Sequence, residues 1–301
     1  MPYIGTQLHK DVAIEELFTV HYFEYSNTYA FEGEAHDFWE CVYVDRGEVL
    51  VSADGREYRL GRGEILFHAP SVFHTLRANG EVAPNLVVLS FSCHSEAAEG
   101  LRDLHTVLGR AEKALISTIL RESEQVFSTP LGDPMTKKME KRENAPLGAE
   151  QLILSSLEKL LILLLRADSQ ASRPTQHYRV EGDLFGKLCT YMQEHVGENL
   201  TLADLSRYAG VSASTVKAVF RAQAGCGTLS YFIGQKMETA KTYIREGRYN
   251  FTEIAEMLGY DSIHYFSRRF RLYTGMSPSE YARSVRALEE RVHEERAKEK
   301  A

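Results

Sequence analysis

Between residues 201 and 281 the chain carries the same short pattern twice. Phe220-Arg221 returns as Phe270-Arg271, Gly225 as Gly275 and Tyr231 as Tyr281, each displaced by 50 positions. Gly210 and Gly259 are displaced by 49, so the second copy holds one extra residue after its glycine, near Asp261. In each copy a short helix with an apolar stripe (Leu202, Leu205, Ala209; Ile254, Met257, Leu258) runs into that glycine. A serine follows, Ser212 or Ser262, placed to cap the next helix. This is the order a helix-turn-helix requires. Glycine supplies the left-handed turn, and the serine oxygen accepts from free amides at the start of the second helix. The extra residue falls in the turn and leaves both helix pairs intact. Two such units in tandem, about 202–223 and 252–273, predict a module that binds double-stranded DNA.

A net charge of −7 opposes binding to DNA until it is divided by region. Residues 1–180 hold 18 Lys and Arg against 26 Asp and Glu, residues 181–288 hold 13 against 11, and residues 289–301 hold 4 against 5. Only the repeat region is positive. Affinity for DNA depends on where cations point more than on their sum, so the cluster Arg268-Arg269-Arg271 matters more than the excess. With 301 residues, 44% hydrophobic and 26% charged, two ordinary cores are expected. Cys41, Cys93, Cys189 and Cys226 show no CxxC spacing, and the first residues lack the basic and apolar regions of a signal peptide. The longest apolar run, residues 160–165, is far short of the roughly 18 residues a membrane span needs. A reduced, cytoplasmic protein without membrane contact is expected.

Ahead of the repeats the period changes. Residues 19–92 show short alternating runs broken by Gly and Asp: 40–45, a turn at Arg46-Gly47, 48–53, a hairpin turn at Asp54-Gly55, 56–60, then 64–68. Closely spaced short strands predict an antiparallel barrel or sandwich. Residues 95–127 read as one helix, with Leu101, Leu104, Leu108, Leu115, Ile119 and Leu120 at helical spacing. Residues 128–148, with Pro130, Pro134 and Pro146, read as a weakly ordered loop, and 149–167 as a leucine-rich helix. That helix admits two readings. Either it is buried on the barrel's own core, or Leu157, Leu160, Leu161 and Leu164 face a second copy of the chain. The fold class is therefore α+β in two domains. An antiparallel β-barrel with two following helices (1–168) and a linker (169–182) precede an all-α tandem helix-turn-helix domain (183–286) and a charged tail (287–301).

Residues 183–286 resemble the DNA-binding domain of AraC/XylS-type transcription regulators. The second unit carries the most specific part: Ile254-Ala255, Leu258-Gly259-Tyr260, Phe266-Ser267-Arg268-Arg269-Phe270, Gly275 and Ser277-Pro278. The resemblance implies seven helices, with a long connector over 229–245 between the two units. The first unit departs from the pattern: Lys236-Met237 stands where an Arg-Leu pair is common, and Cys226-Gly227-Thr228 replaces a Ser-Pro-like stretch. A recognition helix turns some side chains to base edges while its apolar positions hold it to the domain. By resemblance, the base-reading positions of the second unit are Ile263, His264, Ser267 and Arg268, with Phe266 and Phe270 in the core. Arg268 can engage guanine with two hydrogen bonds, or hold a phosphate. In the first unit Ser214, Lys217, Ala218 and Arg221 lie on the outer face, and Val216, Val219 and Phe220 in the core.

The N-terminal region resembles the cupin-like sensory domain of many such regulators, through His36-Asp37-Phe38-Trp39-Glu40, Gly47, Gly63-Glu64-Ile65-Leu66, and Pro70 followed by His74. A small-molecule effector, a sugar among the candidates, is expected inside the barrel, contacted by His36, Trp39, Glu40, Tyr43 and His74. His36, Glu40 and His74 also stand where enzymatic cupins keep metal ligands. Glu34 occupies the place of a further histidine, however, and the second motif is one residue short. Neither metal nor cofactor is therefore expected. The leading reading is a sequence-specific transcription regulator, an activator acting as a homodimer with RNA polymerase as partner, and no enzyme. The alternatives are a cupin metalloenzyme fused to a DNA-targeting module, and an effector-independent regulator whose barrel only dimerises.

Overall fold

The computed structural model describes residues 3–170 and 184–299, which divide into two compact units. The expected linker, 169–182, lies almost wholly outside the described residues. The first unit is built from nine strands: β1 (Glu16–Glu24), β2 (Ala30–Glu34), β3 (Trp39–Arg46), β4 (Glu48–Ala53), β5 (Arg56–Gly61), β6 (Glu64–His68), β7 (His74–Ala78), β8 (Asn85–Ser92) and β9 (His105–Val107). All pairings are antiparallel, in a five-stranded sheet β1-β8-β3-β6-β9 and a four-stranded sheet β2-β7-β4-β5. The hairpin β4–β5 turns on Asp54 (φ 49°) and Gly55 (φ 73°), two positive φ values in succession that match the right-handed twist of the strands.

Strand alternation creates two cores. Val42, Val44, Val49, Val51, Leu60, Leu66, Leu76, Leu86 and Val88 fill the space between the sheets. The opposite face of the five-stranded sheet, with Trp39, Cys41, Tyr43, Phe67, Leu89 and Phe91, is covered by α1 (Arg110–Val126) and α2 (Ala149–Gln170). Leu157, Leu160, Leu161 and Leu164 are at most 5% exposed within this second core. Each such leucine contributes about 1.5–3 kcal/mol by leaving water. They belong to the chain's own interior, which corrects the reading that gave them to a second copy. The single helix expected over 95–127 is also corrected. A 3₁₀ turn (Glu96–Leu101) and strand β9 precede a helix that starts only at Arg110. Leu101 is buried from the 3₁₀ turn and Leu108 from the residues between β9 and that helix, neither from α-helix. Nor is 128–148 loosely held. Leu131 O accepts Tyr22 N–H at 3.0 Å and lies 3.1 Å from His21 Nδ1, so this loop pairs the outer edge of β1.

The second unit contains seven helices among the described residues: α3 (Leu184–Glu194), α4 (Leu202–Ala209), α5 (Ala213–Ala224), α6 (Thr228–Glu246), α7 (Phe251–Met257), α8 (Ile263–Thr274) and α9 (Pro278–Glu299). α9 continues through the expected charged tail to Glu299. Thr201 and Asn250 open α4 and α7 with capping boxes closed by Asp204 and Glu253. The turn of the first unit is Gly210-Val211-Ser212, and that of the second is Gly259-Tyr260-Asp261-Ser262. Both glycines adopt left-handed φ, 66° and 70°, so the extra residue sits in the turn as expected. One repeat position departs: Met257 is 38% exposed and lies off the buried stripe of α7.

Candidate functional sites

Each helix-turn-helix presents its second helix from a fixed core. α5 is anchored by Val216 and Phe220 among Leu188, Met192, Leu205 and Phe232. α8 is anchored by Phe266 and Phe270 among Met237, Ala240, Ile244, Ile254, Leu258 and Tyr281. The connector α6 contributes to both cores, Phe232 to the first and Met237, Ala240 and Ile244 to the second. Lys236, between them, is 4% exposed. Its ammonium donates to Glu198 O and Leu258 O, both at 2.7 Å, and lies 5.0 and 5.4 Å from the ring centroids of Phe232 and Tyr260. Burial pushes its pKa below the ordinary lysine value. One carbonyl from the segment before α4 and one from the end of α7 are thus tied to one buried cation, a role that the sequence marked only as a departure from the family pattern.

On α5, Ser214, Lys217, Ala218 and Arg221 are all exposed. On α8, His264 and Arg268 are exposed and Ser267 is half-buried. Ile263 lies beside them at the start of α8. It is half-buried and packs on the core of the second unit, forming the edge of a groove with Ser267, Asn250, Thr252 and Ser277. Lys217, Arg221 and Arg268 make no ion pair with another described residue, which leaves their charge for a ligand. Arg269, by contrast, is turned onto its own helix, with Nε donating to Tyr265 Oη at 3.0 Å and the guanidinium 5.3 Å from that ring. The basic cluster of the sequence is therefore split, with Arg268 and Arg271 exposed and Arg269 engaged.

In the β-unit, alternation along β3 sends Glu40 to the side opposite Trp39 and Tyr43. Trp39 and Tyr43 pack under the helices, with Trp39 Nε1 donating to Cys93 O at 3.2 Å. They do not join the histidines, which corrects their expected place in the effector pocket. His36, Glu40 and His74 do converge. Glu40, 8% exposed, has Oε1 at 3.2 Å from His74 Nε2 and Oε2 at 3.6 Å from His36 Nε2. Ser90 Oγ donates to Glu40 at 2.9 Å and accepts from Thr19 Oγ1 at 2.8 Å. Burial alone would raise the Glu40 pKa, but the imidazoles of His36 and His74 outweigh it and hold the carboxyl well below its usual range. Burial opposes protonation of His74, yet its contact with Glu40 prevails and raises its pKa.

Residues that composition did not single out complete the cluster. His68 stacks on His74 (centroids 4.2 Å apart, planes at 5°), fully buried with neither ring nitrogen hydrogen-bonded among the described residues. Burial and the neighbouring His74 lower its pKa to about 3, so it is neutral. His68 shares a strand face with Glu64 and Leu66, and this parity was the signal available in the sequence. Glu34, set aside as a missing histidine, joins through a bulge. Phe31 pairs with Leu76 and Glu34 with His74, so three residues of β2 span two of β7. The bulge includes Gly33, whose φ of 110° disfavours a side chain and where a Cβ would come 2.5 Å from the Phe73 ring and 2.6 Å from His74 O. One ligand atom each from Glu34, His36, Glu40 and His74 lie within 4.8 Å of one another. These are the residues able to hold a cation. No helix among the described residues is long and apolar enough to cross a membrane.

Comparison with known proteins agrees with this division. Residues 19–157 match a family model described as an AraC-like ligand binding domain, and residues 205–284 one described as a helix-turn-helix domain. The Arabinose operon regulatory protein of Escherichia coli (strain K12) is 24% identical over 245 residues, 78% of this chain and 77% of the relative. The MmsAB operon regulatory protein of Pseudomonas aeruginosa is 25% identical over 272 residues, covering 84% and 78%. The HTH-type transcriptional activator RhaR of Yersinia pestis is 21% identical over 252 residues, covering 83% and 84%. Among solved structures, the DNA-binding domain of AdpA in complex with a target DNA matches 35% of this chain and 96% of that one at 26% identity, with a TM-score of 0.34.

Proposed function

Because this chain is a transcriptional regulator of the AraC family, with a ligand-binding domain ahead of its DNA-binding domain, we propose that α5 and α8 read two successive major grooves. In this reading Ile263, His264, Ser267 and Arg268 face base edges in one groove, and Ser214, Lys217, Ala218 and Arg221 serve the other. The observation that carries it is the shared connector. With α6 in both cores and Lys236 holding one carbonyl from each unit, the helices are presented as one piece. Grooves on one face of a duplex repeat every ~34 Å, so each subunit covers a non-palindromic half-site of two short blocks. Ala218, lacking a polar side chain, discriminates bases less sharply than Arg268 does. Phosphate contacts from Lys217 and Arg221 hold the register.

The inner pocket of the β-unit, lined by His36, Glu40, His68 and His74, receives a small polar effector, whose binding changes how the DNA-binding domain is presented. The pocket's charged and hydroxyl groups suit a hydroxylated molecule such as a sugar. One of the similar regulators, matched over 78% of this chain, is named for an arabinose operon, which supports that class. Activation through RNA polymerase follows the relative named as an activator, and the working unit is a homodimer whose seam lies away from Leu157–Leu164. The test is footprinting of the full chain on its own promoter region, with and without sugars that raise its Tm. Protection that an effector strengthens or shifts is expected. No protection at moderate salt, with or without any stabilising molecule, would remove the reading.

A further inference from the structure

We propose that Glu34, His36, Glu40 and His74 form a binding site for one divalent transition-metal ion in the β-unit. His36 Nδ1 lies 3.0 Å from Phe38 O, and His74 Nδ1 lies 3.1 Å from Val72 O. A carbonyl only accepts, so each Nδ1 carries its hydrogen and each Nε2 is the ring atom turned to the carboxylate of Glu40, at 3.6 and 3.2 Å. Both Nε2 atoms are buried and neither completes a hydrogen bond of good geometry among the described residues. A cation among them would take one ligand atom from each ring and from the carboxylate. Backbone carbonyls behind ligating imidazoles are the usual means of setting tautomer and ring direction.

The bulge supplies a second, independent observation. Phe31 faces the core between the sheets, and strict alternation would turn Glu34 to the other side. The extra residue at Gly33 reverses that parity and brings Glu34 opposite His74, within the 4.8 Å cluster. A carboxylate brought beside an already buried carboxylate is repulsive unless positive charge lies between them. Two imidazoles with two carboxylates match the borderline ions zinc, manganese, iron(II), cobalt and nickel, and fit poorly with copper(I), which prefers sulfur, or with calcium, which prefers an all-oxygen shell. The earlier expectation of no metal rested on Glu34 not being histidine. A carboxylate is itself a ligand, and the bulge places it as one.

The test uses the full chain, stripped with EDTA, desalted, and titrated separately with Zn(II), Mn(II) and Co(II). About one equivalent of at least one ion should survive gel filtration and raise Tm reversibly, and Co(II) should develop visible absorption. Glu34→Gln, at an exposed position, and His36→Gln should each weaken binding at least ~10-fold. The control His94→Gln, on a surface residue elsewhere, should not. Should His74→Gln fail to fold, these two variants still decide. Uptake below a tenth of an equivalent for all three ions would overturn the proposal, as would uptake that survives both Glu34→Gln and His36→Gln undiminished. Metal content is read on the protein itself, so the result is separate from whether an operator is found.

Discussion

Replacing Lys236 with Met tests whether one buried ammonium fixes the two DNA-binding units to each other. Methionine matches the aliphatic stem but leaves Glu198 O and Leu258 O without their 2.7 Å donors. An acceptor left unpaired in the interior costs about 1–3 kcal/mol, and hydrogen bonds from charged groups stand at the upper end. Removing the lysine also removes the cost of desolvating its charge, which the lowered pKa reports. The second effect offsets part of the first, because the carbonyls remain buried with no new donor. A net loss of about 2–4 kcal/mol is expected. For a helical unit of this size each kcal/mol is worth roughly 4–8 °C, so its melting, followed by circular dichroism, should fall by about 8–32 °C. Below that temperature the variant should still fold but lose affinity for a two-block DNA site. A fall under about 2 °C with unchanged affinity would show that the two cores hold the units without the cation.

Arg268→Ala should cost about 1–3 kcal/mol of DNA binding and relax preference at one base position, measured by competition among single-base variants of the site. Lys217→Ala should weaken all sequences equally and reduce the salt dependence by about one counterion, seen as a shallower slope of log affinity against log salt. Leu160→Ala, at a site fully buried in the β-unit, should destabilise that unit by about 2–5 kcal/mol in urea titrations while leaving the oligomeric state by light scattering unchanged. Gly33→Ala should be more disruptive than its size suggests. A Cβ there would meet the Phe73 ring at 2.5 Å and His74 O at 2.6 Å on a backbone at φ 110°, so a marked fall in Tm is expected.

Local chemistry explains how much of this was visible beforehand. The turns of the repeats were legible because they are written in single positions: Gly210, Ser212, Gly259 and Ser262 act on neighbouring backbone, whereas the caps at Thr201 and Asn250 emerge only from the structure. The hairpin at Asp54-Gly55 was legible for the same reason. Facing was harder. Trp39 and Tyr43 look like pocket aromatics, but they lie on the side of β3 opposite Glu40, where helices α1 and α2 cover the sheet. The stretch around Leu101 to Leu108 has helical spacing, yet pairing of β9 with β6 overrides it, a non-local contact that periodicity does not carry. Leucines 157 to 164 were equally compatible with an interior and with a partner until the sheet beneath them was known. Glu34 became a site residue only through a one-residue bulge, and no pattern of residue types announces the parity change that a bulge makes.

The central claim is that one rigid piece carries two reading helices, and it is tested most directly by selecting bound sequences from random duplex DNA with the full chain. The enriched sequences should contain two short blocks centred about 10–10.5 base pairs apart, with the block lost in Arg268→Ala lying on one fixed side. A single block, two blocks at variable spacing, or no enrichment over competitor DNA would contradict it.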